Sequence, residues 1–243
     1  MHHDRVRLES FPTAEAMASA MARRWVSQLA GRSAPPYRVA LSGGRVAGVF
    51  QREVARFALE QKLDWTGVEF FWGDERCVPP DHADSNFWVA KEALLIPCGI
   101  SHPCIHRLLG ELAPTEACAL ATNEFRQFCP LNPAGWPVLD LVLLGMGEDG
   151  HVASLFPNTP PETAHSNQWV VPVIGPKPPP QRLSLTFGVL AAAREVWVLA
   201  SGADKAPALT ASLQTDGITP LAQLIKMRSQ TEIAGEIAIF DRP

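Results

Sequence analysis

The stretch LDLVLLGMGEDGHVASLFP, residues 139–157, decides how the rest of the chain is read. Leu139, Leu141, Val142, Leu143 and Leu144 form a short apolar run between Pro137 and Gly145, which predicts a strand buried on both faces at the centre of a parallel sheet. Glycines at 145, 147 and 150 then let the backbone turn sharply and approach a ligand closely. Glu148, Asp149 and His151 add three titratable groups within four residues. A loop that only connects two elements could carry the same glycines with its polar residues facing water, but it has no need of a histidine.

The same loop matches the Gly-x-Gly-x-x-Gly pattern of dinucleotide sites. That site also needs a full helix after the glycines and an acidic residue about 20 positions on. Pro157 stops any helix within two turns, and residues 167–173 hold no acid, so the match is incidental.

Working outward, the chain alternates strand and helix signals. Val6–Phe11 reads as a strand, Thr13 as the cap of a helix, and Met17, Met21, Trp25 and Leu29 as its buried stripe ending near Gly31. Tyr37–Leu41 is the next strand. Ser42, Gly43, Gly44 and Arg45 follow it and open a helix with Val49, Phe50, Val54 and Phe57 on one face. A strand, a small-residue loop and a helix N-terminus together make an anion cradle, because free amides and the helix dipole point at the loop.

Val68–Trp72 is a third strand, and the polar run after it carries Asp74, Glu75, Arg76, Asp81, His82 and Asp84. Ser85 caps a helix from Asn86 to Leu95, and Thr115 caps another reaching about Phe128. Beyond the opening stretch, Trp169–Ile174, Arg182–Phe187 and Val196–Ala200 read as strands, with the stiff GPKPPP connection at 175–180 between the first two. SGADK at 201–205 leads into a helix through about Ser212, Thr219 and Pro220 start a short helix, and Ile233–Phe240 closes the sheet.

This alternation predicts one α/β domain over residues 1–243, a three-layer α/β/α sandwich on a mostly parallel sheet. Four polar motifs, 42–45, 73–76, 145–151 and 201–205, all follow strand ends, where open α/β sheets place their ligands.

Composition narrows the partners. With 243 residues, 47% hydrophobic content and a net charge of −4 with dispersed basic residues, the chain suits a small-molecule partner rather than nucleic acid. No apolar run approaches a membrane span, MHHDRVRLES lacks the apolar core of a signal peptide, and five cysteines without a pairing pattern fit reduced thiols, so a cytoplasmic protein is expected. No obligatory protein partner is evident. The segment CGISHPCIH at 98–106 holds four possible zinc ligands but no Cys-x-x-Cys knuckle, and it reads as a loop entering a short strand. His2 and His3 are set aside. There is no Gly-x-Ser-x-Gly elbow and no P-loop. The pooled imidazole, carboxylates, arginines and lysine suit acid/base work on an anionic substrate.

Four segments carry a resemblance to a known family: ALSGG at 40–44, FFWGDERCVP at 70–79 with Ser85 and Asn86, LLGMGEDGHVASLFP at 143–157, and RLSLTFGVLAAAREVWVLASGADKA at 182–206. The chain resembles the 6-phosphogluconolactonases over nearly its whole length. The resemblance implies the glucosamine-6-phosphate deaminase-like and ribose-5-phosphate isomerase-like fold. It also implies hydrolysis of 6-phospho-D-glucono-1,5-lactone, a step of the oxidative pentose phosphate pathway, without metal or cofactor. By the same resemblance, His151 is the general base on water and Arg76 stabilises the developing oxyanion or holds substrate. Asp149 either fixes the imidazole or binds a sugar hydroxyl. Gly43, Gly44, Arg182 and Lys205 match positions that resemble the phosphate-binding set, and Ser42, Arg45 and Asp74 are read with them as substrate- or phosphate-binding residues.

The chain departs from the family pattern after the glycines, where Arg45, Val46 and Ala47 replace the usual hydroxyl residues and proline. Arg45 is the group available to compensate. Amino-sugar phosphate deaminases of the same group typically carry an aromatic after the Asp-Glu pair and continue the histidine motif as AFNEP; here those positions read Arg76 and ASLFP. A catalytically silent sugar-phosphate binder is the remaining alternative.

Overall fold

The computed structural model describes residues 4–32, 36–236 and 240. Strand β1 (Val6–Phe11) leads into helix α1 (Ala14–Ala30), whose first turn is closed by Thr13 Oγ1 accepting the Ala16 N–H at 3.1 Å. Met17, Met21, Trp25 and Leu29 are all buried on its inner face, each contributing about 1.5 to 3 kcal/mol of apolar burial. Strand β2 (Tyr37–Leu41) feeds α2 (Arg45–Gln61), and β3 (Val68–Trp72) follows.

The polar run after β3 is not all loop. Asp74–Arg76 form a short strand, β4, and α3 (Asn86–Ala90) continues as a π-helical stretch, Lys91–Leu95. Helix α4 (Pro114–Phe128) starts one residue before the expected cap, because Pro114 takes the first helical turn, where its missing N–H costs nothing, so Thr115 lies inside the helix.

Strand β5 (Leu141–Gly145) begins two residues later than the apolar run, since Asp140 is occupied in accepting the Arg38 N–H. The remaining elements are α5 (Pro161–Ala164), β6 (Val170–Ile174), β7 (Gln181–Leu185), α6 (Phe187–Ala192), β8 (Glu195–Ala200), α7 (Ala206–Leu213), α8 (Pro220–Met227) and β9 (Thr231–Glu236). Residues 237–239 of the expected closing strand, and His2 and His3, lie outside the described residues.

The main sheet has six strands in the order β1-β9-β8-β5-β2-β3, every neighbouring pair parallel. The chain crosses from β1 at one edge to β2 and β3 at the other and then steps back through β5, β8 and β9. With right-handed crossovers, that reversal puts the first helices on one face and the later ones on the other. The fold is thus the expected α/β sandwich, and β5 is an interior strand, as its apolar run requires. Trp25, Trp72, Trp197, Phe50, Phe70 and Phe71 lie fully buried in the layers around the sheet.

Two expected strands lie elsewhere. β6 and β7 form an antiparallel hairpin that joins β4 in a second sheet, order β4-β7-β6. The alternation of strand signals does not separate a strand of the main sheet from one of an appended hairpin. The consequence is functional: this small sheet stands at the carboxyl ends of the main strands and walls one side of the cleft described next.

The 98–106 segment enters a bridge between Ile105 and Phe70, and His106 is buried between the rings of Phe71 and Phe128. Its two ring nitrogens meet Glu124 at 2.7 Å and Glu69 at 2.9 Å, so it fastens α4 to β3. Among the described residues no three His, Cys, Asp or Glu side chains converge as a metal site, and no helix is long and apolar enough to cross a membrane.

Candidate active site

The loops after β2, β3, β5 and β8 meet in a cleft of about 380 Å³. Ser42, Gly43, Gly44, Arg45, Asp74, Arg76, His151, Arg182 and Lys205 all line it. Asp149 stands behind His151 rather than on the wall.

The histidine is set by its own turn. The Gly147 N–H donates to the His151 carbonyl at 3.0 Å, and the Gly150 N–H to the Gly147 carbonyl at 3.0 Å. Gly150 has φ +78°, and its carbonyl accepts the N–H of Leu221 in the first turn of α8, which anchors the loop. Gly147 is required for space: a Cβ there would lie 2.0 Å from His151 Nδ1 and 2.7 Å from Asp149 Oδ1. One oxygen, Asp149 Oδ1, accepts both the His151 backbone N–H at 3.1 Å and the ring Nδ1–H at 2.6 Å.

Burial acts to raise the Asp149 carboxyl, but the hydrogen bonds and charge of His151 outweigh it and hold the group below its ordinary value. An ionised carboxylate only accepts, so Nδ1 carries the proton and Nε2 presents a lone pair. The ring also packs on Phe156, with centroids 4.7 Å apart.

The GDER segment is held from beneath. Glu75 is 2% exposed, and its carboxylate accepts the N–H groups of Arg76, Asn86 and Phe87 and the Ser85 hydroxyl, at 2.7 to 3.0 Å. Burial pushes this carboxyl up to about 6, against the pull of those backbone N–H groups. Glu75 thereby caps α3 jointly with Ser85, whose Oγ accepts the Trp88 N–H.

Asp74, expected from sequence among the substrate-binding residues, has a hydrogen bond to each carboxylate oxygen. Oδ2 accepts the Ser154 hydroxyl at 2.6 Å, and Oδ1 accepts Asn86 Nδ2 at 3.1 Å. Asn86 in turn fills the space beside Gly43, where a Cβ would fall 1.7 Å from its Oδ1. Asp74 therefore locks the glycine loop to the histidine loop. Arg76 is tethered by Nη1 to the Asp84 carbonyl at 2.6 Å.

At the other end, Gly44, with φ +89°, is the N-cap of α2 and contributes no side-chain bond to the first amides. Gln51 Nε2 steadies the loop by donating to the Ser42 carbonyl at 3.0 Å. Arg45 is exposed at this mouth. Burial lowers the Lys205 ammonium, and the nearby Arg45 charge lowers it further, partly offset by Asp204 and Glu148. Cations that repel one another beside a helix N-terminus suit an anion with more than one charge. Arg182 is 8% exposed, and its Nε and Nη2 donate to the carbonyls of Pro179 and Lys177, so part of its donor set supports the β6–β7 hairpin.

Sequence reasoning named Glu75 only among the charges after β3, read Ser85 and Asn86 as a helix cap or loop supports, and missed Ser154 and Lys177. A carboxylate two to three residues beyond a strand end and ten residues before a serine cap was a usable signal for Glu75. The contacts of Ser154 and Lys177 depend on tertiary placement that no spacing reveals.

A family model described as glucosamine-6-phosphate isomerases/6-phosphogluconolactonase matches residues 12–233. The 6-phosphogluconolactonase of Streptomyces coelicolor is 36% identical over 212 residues, covering 84% of this chain and 81% of that protein. That of Treponema pallidum is 40% identical over 178 residues, covering 73% and 72%. Among solved structures, the 6-phosphogluconolactonase of Thermotoga maritima superposes with a TM-score of 0.78 at 27% identity, over 96% of this chain and 99% of that one.

Proposed function

The chain belongs to the glucosamine-6-phosphate isomerase/6-phosphogluconolactonase family, and from that premise we propose how its cleft hydrolyses 6-phospho-D-glucono-1,5-lactone to 6-phospho-D-gluconate. The observation that carries the reading is the single Asp149 oxygen that accepts both N–H groups of His151. It leaves Nε2 as a base on the cleft side, and a lactone needs such a base to activate water.

In this reading the 6-phosphate lies against the first turn of α2, where the amides after Gly44 and the charges of Arg45 and Lys205 receive it. The missing hydroxyl at Val46 is replaced by the Arg45 guanidinium, a charge-assisted donor. That contact holds the lactone ring with its carbonyl near His151. Nε2 takes a proton from water as the oxygen attacks the carbonyl carbon, and Arg76 stabilises the negative charge that builds on the carbonyl oxygen. Asp149 stabilises the imidazolium so formed. As the tetrahedral species collapses, the bond from the carbonyl carbon to the ring oxygen breaks, and the imidazolium returns its proton to that oxygen. Base and acid are then one residue, and no metal or cofactor is required. Asp74, Glu75 and Asn86 position the loops and leave the chemistry to His151 and Arg76. The reading puts one catalytic domain in the cytoplasm, where the five unpaired cysteines would stay reduced.

The test is acid release from freshly generated 6-phosphogluconolactone, set against its spontaneous hydrolysis, beside ammonia release from glucosamine 6-phosphate. Accelerated acid release without ammonia is expected. Ammonia release as the faster activity would move the chain to the deaminase branch of its family.

A further inference from the structure

The cleft has one more cation than the sequence pattern supplied. Lys177 lies at the tip of the β6–β7 hairpin, lines the same cleft, and faces Glu148 of the histidine loop with Nζ to Oε1 at 3.7 Å. Both side chains are more than half exposed, and the separation exceeds a hydrogen bond, so the pair is weak and exchangeable.

The backbone beneath Lys177 is, by contrast, well fixed. The Gly175 N–H donates to the Pro180 carbonyl at 2.7 Å, Arg182 holds the carbonyls of Pro179 and Lys177, and Pro176, Pro178, Pro179 and Pro180 restrict the tip. Gly175 rests on Phe156, where a Cβ would stand 3.0 Å from the ring, and Phe156 packs on His151. A weakly held ammonium on a well-fixed backbone therefore overhangs the cleft beside the histidine loop. Glu148, Arg45 and Lys205 line the same cleft as Lys177, and Glu148 also favours the Lys205 ammonium. Arg76 and Arg182 are anchored in place by backbone carbonyls, whereas the Lys177–Glu148 pair is exposed and can exchange.

We propose that Lys177 is a further specificity-determining residue of this cleft, releasing Glu148 to contact the phosphate of the bound substrate. The inference rests on the reading of the substrate as a phosphorylated lactone. Glu148 acts as a stand-in that holds Lys177 over the open cleft and yields to a dianion, and a neutral sugar lactone gives it no reason to yield.

Steady-state kinetics on phosphorylated and unphosphorylated gluconolactone test this. Lys177→Gln should raise KM for the phosphorylated lactone about 3- to 5-fold, the upper part of the range of an exposed charged contact, with a smaller change in kcat and no matching rise for the plain lactone. Lys177→Arg should recover most of the loss, and Glu148→Gln should lower KM for the phosphorylated substrate. A KM within twofold of the unmodified protein in Lys177→Gln, an equal rise for both lactones, or a fall confined to kcat would overturn the proposal. If the unmodified protein gave no rate above spontaneous hydrolysis, the lactonase reading would fail by itself. Titration with 6-phosphogluconate would still decide on Lys177, by whether Lys177→Gln binds it more weakly.

Discussion

Replacing Asp149 separates two roles that one carboxylate performs, and the structure says how far apart the results should fall. In Asp149→Asn, the amide oxygen can take the place of Oδ1 and accept from both the backbone N–H and Nδ1–H of His151. Turning the amide over would set an NH2 group against the His151 backbone N–H, so the oxygen stays inward and the ring keeps its tautomer. Only the charge is lost. A charge-assisted bond contributes about 1.5 to 3 kcal/mol and a neutral one about 0.5 to 1.5. The difference, about 1 to 1.5 kcal/mol, is about a 5- to 15-fold loss. Asp149 and His151 side chains are 40% and 32% exposed, so solvent screening puts the expected loss toward the lower figure.

Asp149→Ala removes the whole bond and frees the tautomer, which raises the loss to about 10- to 150-fold. The assay is kcat/KM for the phosphorylated lactone by continuous acid titration, corrected for spontaneous hydrolysis, with nitrogen NMR shifts of the His151 ring reporting the protonated nitrogen. If Asp149→Asn were as damaging as Asp149→Ala, the oxygen would not be setting the tautomer. If Asp149→Ala kept normal turnover, Asp149 would have no part in preparing His151.

Three further outcomes are expected. Gly147→Ala should fold, by thermal melting, yet lose at least about 100-fold in turnover, because its Cβ would displace both His151 Nδ1 and Asp149 Oδ1; near-normal turnover would show that this ring position is not the working one. Arg45→Ala and Lys205→Ala should each weaken 6-phosphogluconate binding by roughly 10- to 100-fold, the size of a charge-assisted contact, while barely affecting an unphosphorylated lactone; loss only in Lys205→Ala would mean that Arg45 points to solvent. Exhaustive chelation should leave activity intact, and loss on chelation with recovery on added zinc would reopen the Cys98–His106 segment, whose His106 is engaged by Glu69 and Glu124.

Most of the parallel sheet was legible because its strands are buried on both faces and so read as short apolar runs: β2, β3 and β5 are found within two residues of where the runs suggest. The cleft was legible for a related reason, since loops at the carboxyl ends of parallel strands must converge whichever helices intervene. What stayed hidden depends on the third dimension. β6 and β7 have strand composition, but nothing local tells them to pair with β4 across the mouth of the cleft. For Asp74, spacing cannot reveal that Ser154, 80 residues away, and Asn86 donate to its two oxygens. Glu75 stood among the charges of a candidate site loop, and burial beneath the α3 N-terminus is what makes it a cap.

The central claim is that His151 is the base for lactone hydrolysis, and His151→Ala tests it most directly. Rates of acid release from fresh 6-phosphogluconolactone should fall about 10²- to 10⁴-fold relative to the unmodified protein, while calorimetric binding of 6-phosphogluconate persists and the melting temperature shows a folded chain. A His151→Ala protein that still hydrolyses the lactone at close to the unmodified rate would contradict the account.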